Sequence, residues 1–252
     1  MSKKIALITG GSRGLGRNAA LHLAGKGVDT VLTYRSAKDA ADATVAEIEA
    51  HGGKAVTLQL DTTDTSAFSR FASTLATVLD ETWGRSDIDF LVNNAGSGIL
   101  KPFHDTTEAD LDRMYSEHVK GPYMLTQRLL PMIVDGGRIL NVSSGLARFC
   151  NPGYSAYGGM KGAIEVMTRY MAAELAPRGI AVNVIAPGAI ETDFGGGVVR
   201  DIPDINKAVA SSVAMGRAGL PDDIGEAIAG ILTSMSQWMT AQRIEVSGGQ
   251  KL

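Results

Sequence analysis

The chain has 252 residues, of which 44% are hydrophobic and 20% are charged, and its formal net charge is -3. This length allows one large domain or two small ones, and the mildly acidic balance lacks the electrostatic footprint of a nucleic-acid or membrane-surface protein. The single cysteine, Cys150, excludes an internal disulfide, and no apolar stretch approaches the ~18 residues of a membrane span. We therefore expect a cytoplasmic protein without nucleic-acid or membrane partners.

Short apolar runs alternate with helical patterns from one end of the chain to the other. The predicted strands are 4–10, 29–35, 54–61, 88–96, 137–144, 180–188 and 243–249. The predicted helices are 14–26, 37–51, 64–82, 107–134, 155–177 and 221–236. Continuous apolar cores are typical of strands covered on both faces. We predict a single α/β domain over residues 1–252, a doubly wound Rossmann fold whose seven-stranded parallel sheet has helices on both faces.

Capping residues mark several helix starts, at Asp64, at Thr107 and at 221–223. One region, 192–215, is weakly patterned and carries three glycines and Pro203. A long irregular insertion in a compact domain is usually functional. We predict that residues 192–215 form a mobile lid over a substrate site.

A glycine-rich turn follows the first strand, with Gly10, Gly14 and Gly16 leading into a helical pattern. Such a turn offers backbone N–H groups and the positive end of a helix dipole to a pyrophosphate. Strand, turn and helix together predict a dinucleotide site. A glycine-rich turn of a flavodoxin-like fold is the alternative, whereas a P-loop is excluded because its lysine signature is absent.

The end of the second strand indicates which dinucleotide binds. Tyr34 and Arg35 stand there, and no acid follows until Asp39. An NAD site places a carboxylate at this position, whereas an NADP site needs a cation for the 2′-phosphate. Arg13, inside the glycine turn, offers a second cation. The pattern favours NADPH, with a solvated loop charge as the alternative interpretation of Arg35.

A phenol and an ammonium group stand one helical turn apart at Tyr157 and Lys161. Residues four apart lie on one face of a helix. This pair is weak evidence by itself, because an amphipathic surface helix can carry both residues by chance.

Several motifs occur together with that pair: "TGGSRGLG" at 9–16, "NNAG" at 93–96, Ser144 thirteen residues before the tyrosine, and "PGAIET" at 187–192. With them the chain closely resembles the short-chain dehydrogenases/reductases, in the branch of about 250 residues with a T-G-x-x-x-G-x-G turn. The resemblance covers essentially the whole chain, and it extends to ketoreductases of the 3-oxoacyl-(acyl-carrier-protein) type. It implies NADP(H) as cofactor and a homotetramer or homodimer, and it implies no metal.

The resemblance implies that Tyr157 gives a proton to a carbonyl oxygen in reduction and accepts one in oxidation. Lys161 would lower the pKa of the phenol and hydrogen-bond the nicotinamide ribose. Ser144 would orient the substrate oxygen, and the family spacing selects it over Ser143. His118 stands where the family carries an asparagine, and three interpretations stay open: it keeps the backbone role of that asparagine, its imidazole joins a proton relay, or it fills space. The relay interpretation assumes that the imidazole titrates in the working range, and it predicts that His118→Asn keeps activity but alters its pH profile.

The other implied positions concern binding. The cofactor-binding residues, in addition to Tyr157 and Lys161, are Gly10, Ser12, Arg13, Leu15, Gly16, Arg35, Asp61, Thr62, Asn93, Ala95, Gly96, Pro187, Gly188, Ile190 and Thr192. Among these, Asp61 resembles the acid that meets the adenine amino group. The substrate residues are Ser144, Leu146, Phe149, Tyr154 and Phe194.

The pocket is expected to be apolar, with Leu100 added to those residues and Arg148 as the single candidate for an acidic substrate group. An apolar stripe on helix 155–177 is consistent with subunit contacts, although core packing explains it equally well; its members are Met160, Met167, Met171 and Leu175. Ala241 replaces a glycine that the family commonly places before the last strand.

These features predict the reversible, NADPH-dependent reduction of a ketone to a secondary alcohol. Two alternatives stay open. One is a reductase specific for 3-oxoacyl thioesters, and the other is a non-catalytic, NADP-binding regulatory relative.

Overall fold

The computed structural model describes residues 3–236 and 238–252. Its strands are β1 (Ile5–Ile8), β2 (Asp29–Tyr34), β3 (Ala55–Gln59), β4 (Ile88–Asn93), β5 (Ile133–Val142), β6 (Ala181–Pro187) and β7 (Arg243–Val246). Its α-helices are α1 (Gly14–Gly25), α2 (Lys38–Ala50), α3 (Phe68–Trp83), α4 (Glu108–Tyr115), α5 (Gly121–Leu129), α6 (Ser155–Leu175), α7 (Val198–Asp201), α8 (Pro203–Ser211) and α9 (Pro221–Thr233). A π-helical turn, Ser116–Lys120, joins α4 to α5. Within the described ranges, no helix combines the length and apolar character needed to cross a bilayer.

All seven strands form one parallel sheet in the order β3-β2-β1-β4-β5-β6-β7. The four residues of β1 are buried and alternate between two cores, because successive side chains of a strand point to opposite faces. Ala6 and Ile8 pack in the core with α1 and α9, whereas Ile5 and Leu7 pack in the core with α3, α5 and α6. The predicted Rossmann fold is confirmed. The strand order changes direction between β1 and β4, which opens a crevice at their carboxyl ends.

Two predicted capping residues are confirmed. The Asp64 side chain accepts a hydrogen bond from the Ser66 N–H at 3.1 Å. Thr107 and Asp110 form a reciprocal capping box at the start of α4. Asp223 accepts the Leu220 N–H at 2.7 Å and so satisfies a backbone donor at the start of α9.

The predicted helix 107–134 is wrong at its carboxyl end. α5 ends at Leu129, Pro131 lies in a 3-10 turn, and β5 begins at Ile133 by pairing with Ile88 of β4. Proline has no N–H to continue a helical ladder, so the chain leaves the helix there. The weakly patterned segment 192–215 is helical in part, because α7 and α8 occupy much of it, and its role as a lid stays a prediction.

The apolar stripe of α6 belongs to the core. Met171 is buried, and Met167 and Leu175 pack against the core that it shares with α3 and α5. Met160 packs beside Tyr157 instead. Of the two interpretations offered for this stripe, the structure supports core packing.

Ala241 has a left-handed backbone, with a φ of 61°. Its N–H donates to the Val182 carbonyl oxygen at 2.7 Å, which fixes the turn into β7. This conformation costs an L-residue roughly 1–2 kcal/mol, although glycine also gains entropy in the unfolded chain.

We expect Ala241→Gly to raise the free energy of unfolding by about 0.5–1 kcal/mol. This is the backbone strain that glycine relieves in the folded protein minus the conformational entropy that glycine adds to the unfolded chain. Urea unfolding of both proteins measures this difference. As a control, Ala46→Gly on the exposed face of α2 should lower stability by roughly 0.5–1 kcal/mol. Equal losses for both variants would contradict the left-handed assignment.

Candidate active site

The glycine turn lies at the carboxyl end of β1, against the end of β4. A methyl group on Gly16 would lie 2.3 Å from the Gly10 carbonyl oxygen, and Gly10 itself has a φ of 69°. Asn94 fixes the turn, because its amide donates to the Thr9 carbonyl oxygen at 2.8 Å. Only glycine fits Gly16, and the close packing leaves the outer side of the turn open to a ligand.

The turn and the strand ends beside it fit a dinucleotide that carries a 2′-phosphate. Among the described residues, no side chain caps the first turn of α1, so its N–H groups remain for an anion. Arg13 and Arg35 are exposed, and their guanidinium groups make no hydrogen bond or ion pair within residues 3–236 and 238–252. Asp61 is fixed by Thr63, whose backbone N–H and hydroxyl donate to the same carboxylate oxygen at 2.9 and 2.7 Å. The second carboxylate oxygen is left for a donor such as an adenine amino group.

Two further predicted cofactor residues, Thr192 and Asn93, form hydrogen bonds within the protein. Thr192 is buried, and its hydroxyl accepts the Phe194 N–H at 3.2 Å, so it shapes the base of the lid. Asn93 points into the sheet, where its amide donates to Thr126 at 3.0 Å and to Asn141 at 2.8 Å. Its side chain therefore supports the fold, and its backbone is the part that faces the crevice side of β4.

Ser144, Tyr157 and Lys161 meet at the carboxyl end of β5. The serine follows that strand, and the other two lie in the first turns of α6. Gly158 explains the close approach, because a methyl group there would lie 2.9 Å from the Leu146 carbonyl oxygen. Gly158, next to Tyr157, thus lets α6 pack onto the segment after Ser144.

Ser144 and Lys161 both lie beside Tyr157. The Ser144 side chain lies close enough to the Tyr157 phenol to lower its pKa. The Lys161 Nζ donates to the Val142 carbonyl oxygen at 2.7 Å and lies 5.5 Å from the centroid of the Tyr157 ring. All three predicted residues are therefore brought together beside the dinucleotide crevice.

Burial dominates the acid–base properties of this group. It raises the pKa of the Tyr157 phenol well above its ordinary value, and the nearby Ser144 side chain opposes that rise. Burial lowers the pKa of Lys161 to about 7, and the negative charge of Glu117 opposes that fall. The phenol thus keeps its proton at neutral pH, which is the form that a proton donor requires. The expected fall in the phenol's pKa is not seen in the protein alone.

His118 lies in the π turn with its ring edge against Tyr157, at 5.2 Å between centroids and 90° between planes. Its Nε2 donates to the Ser97 carbonyl oxygen at 2.7 Å, which leaves Nδ1 buried without a partner among the described residues. Gly96 makes room, since a methyl group there would lie 2.4 Å from the imidazole Cε1. Burial, reinforced by the Lys161 charge, lowers the pKa of His118 to about 3. The expectation that this imidazole titrates in the working range is wrong.

We therefore revise the expectation for His118→Asn. Because the imidazole stays neutral above its pKa of about 3, the variant should keep the shape of the pH profile of kcat/KM across neutral pH. Steady-state rates of both proteins over that range measure it. A displaced acid limb in the variant would restore a proton-relay role for the imidazole.

Three of the predicted substrate residues surround the Tyr157 ring. Tyr154 and Leu146 pack with Tyr157, and the Phe194 ring lies 5.6 Å from the tyrosine ring. Gly98 lets the lid approach, because a methyl group there would lie 2.5 Å from the Phe194 ring.

Two residues that were predicted near the pocket, Arg148 and Phe149, contact the carboxyl-terminal residues of the chain. Cations flank the Phe149 ring, with the Arg148 guanidinium at 5.3 Å and the Lys251 ammonium at 5.1 Å. Arg148 pairs with Glu245 at 2.7 Å and donates to the Gln250 and Lys251 carbonyl oxygens at 2.7 and 3.1 Å. Four of the five N–H donors of Arg148 are therefore used within the described residues, which disfavours a role in binding an acidic substrate.

Comparison with known proteins places these features in a family. A family model described as enoyl-(acyl carrier protein) reductase matches residues 10–251. A hydroxynaphthalene reductase-like protein, Arp2 of Metarhizium brunneum, is 33% identical over 99% of this chain and 95% of its own length.

Two solved structures are similar along nearly their whole length. The reductase LugOII, described as promiscuous and as catalysing keto-reduction at C1 during lugdunomycin biosynthesis, is 41% identical, with a TM-score of 0.93 over 98% of this chain and 97% of its own. The angucycline C-6 ketoreductase LanV, solved with bound NADP, is 34% identical, with a TM-score of 0.93 over 98% of this chain and 95% of its own.

Proposed function

The chain belongs to the short-chain dehydrogenase/reductase family, and we propose that within it the protein is an NADPH-dependent ketoreductase. The observation that carries this proposal is the buried pair of Tyr157 and Lys161, one helical turn apart with the ammonium 5.5 Å from the phenol ring, and with Ser144 beside the phenol. LanV, which shares the fold along nearly all of its length, is solved with NADP. The unpaired Arg13 and Arg35 support the same cofactor by their charge.

Binding comes first in the mechanism. The N–H groups at the start of α1 would hold the pyrophosphate, Arg13 and Arg35 the 2′-phosphate, and Asp61 the adenine. NADPH, when bound, supplies the hydride that adds to the carbonyl carbon. Lys161 would hydrogen-bond the ribose from its position beneath Tyr157.

The proton comes from this chain. Ser144 would donate a hydrogen bond to the carbonyl oxygen and so orient it. Tyr157 then transfers its hydroxyl proton to that oxygen as negative charge develops there, which completes a secondary alcohol and leaves a phenolate. The Lys161 ammonium stabilises the phenolate by its charge. In the reverse direction the phenolate would act as the base.

The aromatic walls of the pocket favour a planar aromatic ketone. Tyr154 and Phe194 flank Tyr157, with ring centroids at 6.5 and 5.6 Å, and Leu146 adds an aliphatic surface. Aromatic faces and edges stack well on flat, polycyclic rings. The relatives point the same way, because their names refer to a hydroxynaphthalene and to angucyclines.

A cytoplasmic homotetramer is also proposed. The exposed thiol of Cys150 suits a reducing compartment. The outer faces of α4 and α6 expose large apolar side chains, which are Leu111, Tyr115, Val166 and Tyr170. Such faces are candidates for subunit contacts.

The decisive experiment follows NADPH absorbance with a panel that contains polycyclic aromatic ketones, small aryl ketones and an acetoacetyl thioester, repeated with NADH. We expect turnover with NADPH and the highest kcat/KM for the polycyclic ketones. Preference for the thioester would favour the 3-oxoacyl alternative. Binding of NADPH without turnover of any substrate would favour a non-catalytic protein.

A further inference from the structure

Ser97, just after β4, is held by two successive residues of the π turn. A single oxygen of the Glu117 carboxylate, Oε2, accepts the Ser97 N–H at 2.8 Å and the Ser97 hydroxyl at 2.6 Å. His118 donates to the Ser97 carbonyl oxygen at 2.7 Å. Glu117 is only 5% exposed. Burial of a carboxylate lowers the stability of the fold unless hydrogen bonds and charges compensate it. Its presence here therefore indicates a specific role for Glu117.

The π turn makes this arrangement possible. Successive residues of an α-helix project about 100° apart, yet Glu117 and His118 both reach the same serine. π turns inserted in α-helices are frequent at functional sites. Gly121, directly after the turn, packs so closely that a methyl group there would lie 2.3 Å from the Thr62 carbonyl oxygen. The helix is thereby anchored on the cofactor side of the crevice.

The residue after Ser97 packs against the aromatic side chains around Tyr157. This residue, Gly98, contacts the Phe194 ring of the lid, and that ring packs against Tyr157. The segment 97–100 thus lies between the π turn and the lid. Its position determines how closely Phe194 covers the phenol.

The same carboxylate also acts on Lys161 by its charge. The ammonium donates to the Val142 carbonyl oxygen at the end of β5 and lies against the Tyr157 ring on its own helix. Glu117 and His118 face it from the π turn. His118 is neutral, and Tyr157 keeps its proton. Glu117 is the acid among them, so it favours the ammonium form of Lys161.

We propose that Glu117 is a positioning residue of this active site, which holds the segment 97–100 through Ser97 and keeps a negative charge beside Lys161. This inference rests on the proposed ketoreductase function. It assigns a role to a residue that the sequence patterns did not single out.

Three variants separate the two parts of the role. Glu117→Ala removes the hydrogen bonds and the charge, Glu117→Gln keeps an acceptor but removes the charge, and Ser97→Ala removes the hydroxyl alone. Glu49→Gln, at an exposed position near the end of α2, is the matched control for the loss of one carboxylate. Each protein is compared with wild type for KM and kcat with a polycyclic aromatic ketone, for the pH profile of kcat/KM, and for hydrogen–deuterium exchange at 97–101.

We expect Glu117→Ala to raise KM about tenfold, the loss expected for hydrogen bonds to a charged group, with a smaller change in kcat and faster exchange at 97–101. Ser97→Ala should raise KM in the same direction by a smaller factor. Glu117→Gln should have a KM closer to that of wild type than Glu117→Ala has. It should also shift the alkaline fall of kcat/KM to lower pH. The sign follows because removing the negative charge lowers the pKa of Lys161 below its value of about 7.

Unchanged KM, pH profile and exchange in the glutamate variants would overturn the proposal while wild type still turns over. If wild type has no activity, the proposed function fails, and exchange at 97–101 alone decides whether Glu117 holds this segment. Loss of thermal stability with wild-type KM and wild-type pH profile would indicate a purely structural role and would also overturn the proposal.

Discussion

Tyr157→Phe is expected to lower kcat for ketone reduction by about 10²–10⁴-fold, the range in which a positioned general acid contributes. The phenyl ring keeps the packing of the tyrosine against His118 and Phe194, but the atom that carries the proton is lost. Rates of NADPH oxidation at saturating substrate measure the effect. The affinity for NADPH, measured by fluorescence titration, should change little by comparison.

Tyr170→Phe is the matched control, because this tyrosine lies on the exposed face of the same helix, with 68% of its surface accessible. It should keep kcat near the wild-type value. If Tyr157→Phe also kept the wild-type kcat, the proton would have to come from another group, and the mechanism proposed here would be wrong.

The second large effect concerns cofactor choice. Arg13→Ala combined with Arg35→Asp should reduce the preference for NADPH over NADH by about 100-fold, since each arginine is expected to give a charge-assisted contact worth about tenfold in affinity. The aspartate would also repel the 2′-phosphate and offer an acceptor to the ribose hydroxyls of NADH. The ratio of kcat/KM for the two cofactors measures this change.

Arg128→Ala, on the exposed side of α5, controls for the loss of a surface cation. It should leave the cofactor ratio near that of wild type. An unchanged ratio in the double variant would mean that the two guanidinium groups are ordinary solvated charges, which is the alternative that the sequence left open for Arg35.

Local patterns were sufficient for much of the fold. Each apolar run became a strand of the sheet, because a parallel strand buried on both faces needs a continuous apolar segment. The capping residues Asp64 and Thr107 worked as expected, since capping depends on neighbours within three residues. The end of α5 was misplaced because pairing of Ile133 with Ile88 and the proline at 131 outweighed helical periodicity.

The site was predictable to the extent that spacing determines it. Tyr157 and Lys161 share a helix face, and Ser144 precedes them at the family distance. The contacts of Arg148 and Phe149 with the carboxyl-terminal residues Glu245 and Lys251 could not be predicted, because these partners lie about a hundred residues away in sequence. Such long-range contacts leave no periodic signal.

Glu117 was missed for a related reason. In a regular helix a residue next to His118 would face elsewhere, and only the π turn brings both side chains to Ser97. The low pKa of His118 was equally hidden, because it arises from burial and from the charge of Lys161 in a different helix. The one available signal was an acidic residue beside the position at which the chain departs from its family.

The most direct test uses NADPH that carries deuterium at the transferable position of the nicotinamide, together with a polycyclic aromatic ketone. Mass spectrometry of the product should show a secondary alcohol with one deuterium on the former carbonyl carbon, formed in step with the NADPH consumed. An unlabelled product, or tight NADPH binding with no alcohol formed from any ketone, would contradict the assignment of this protein as a ketoreductase.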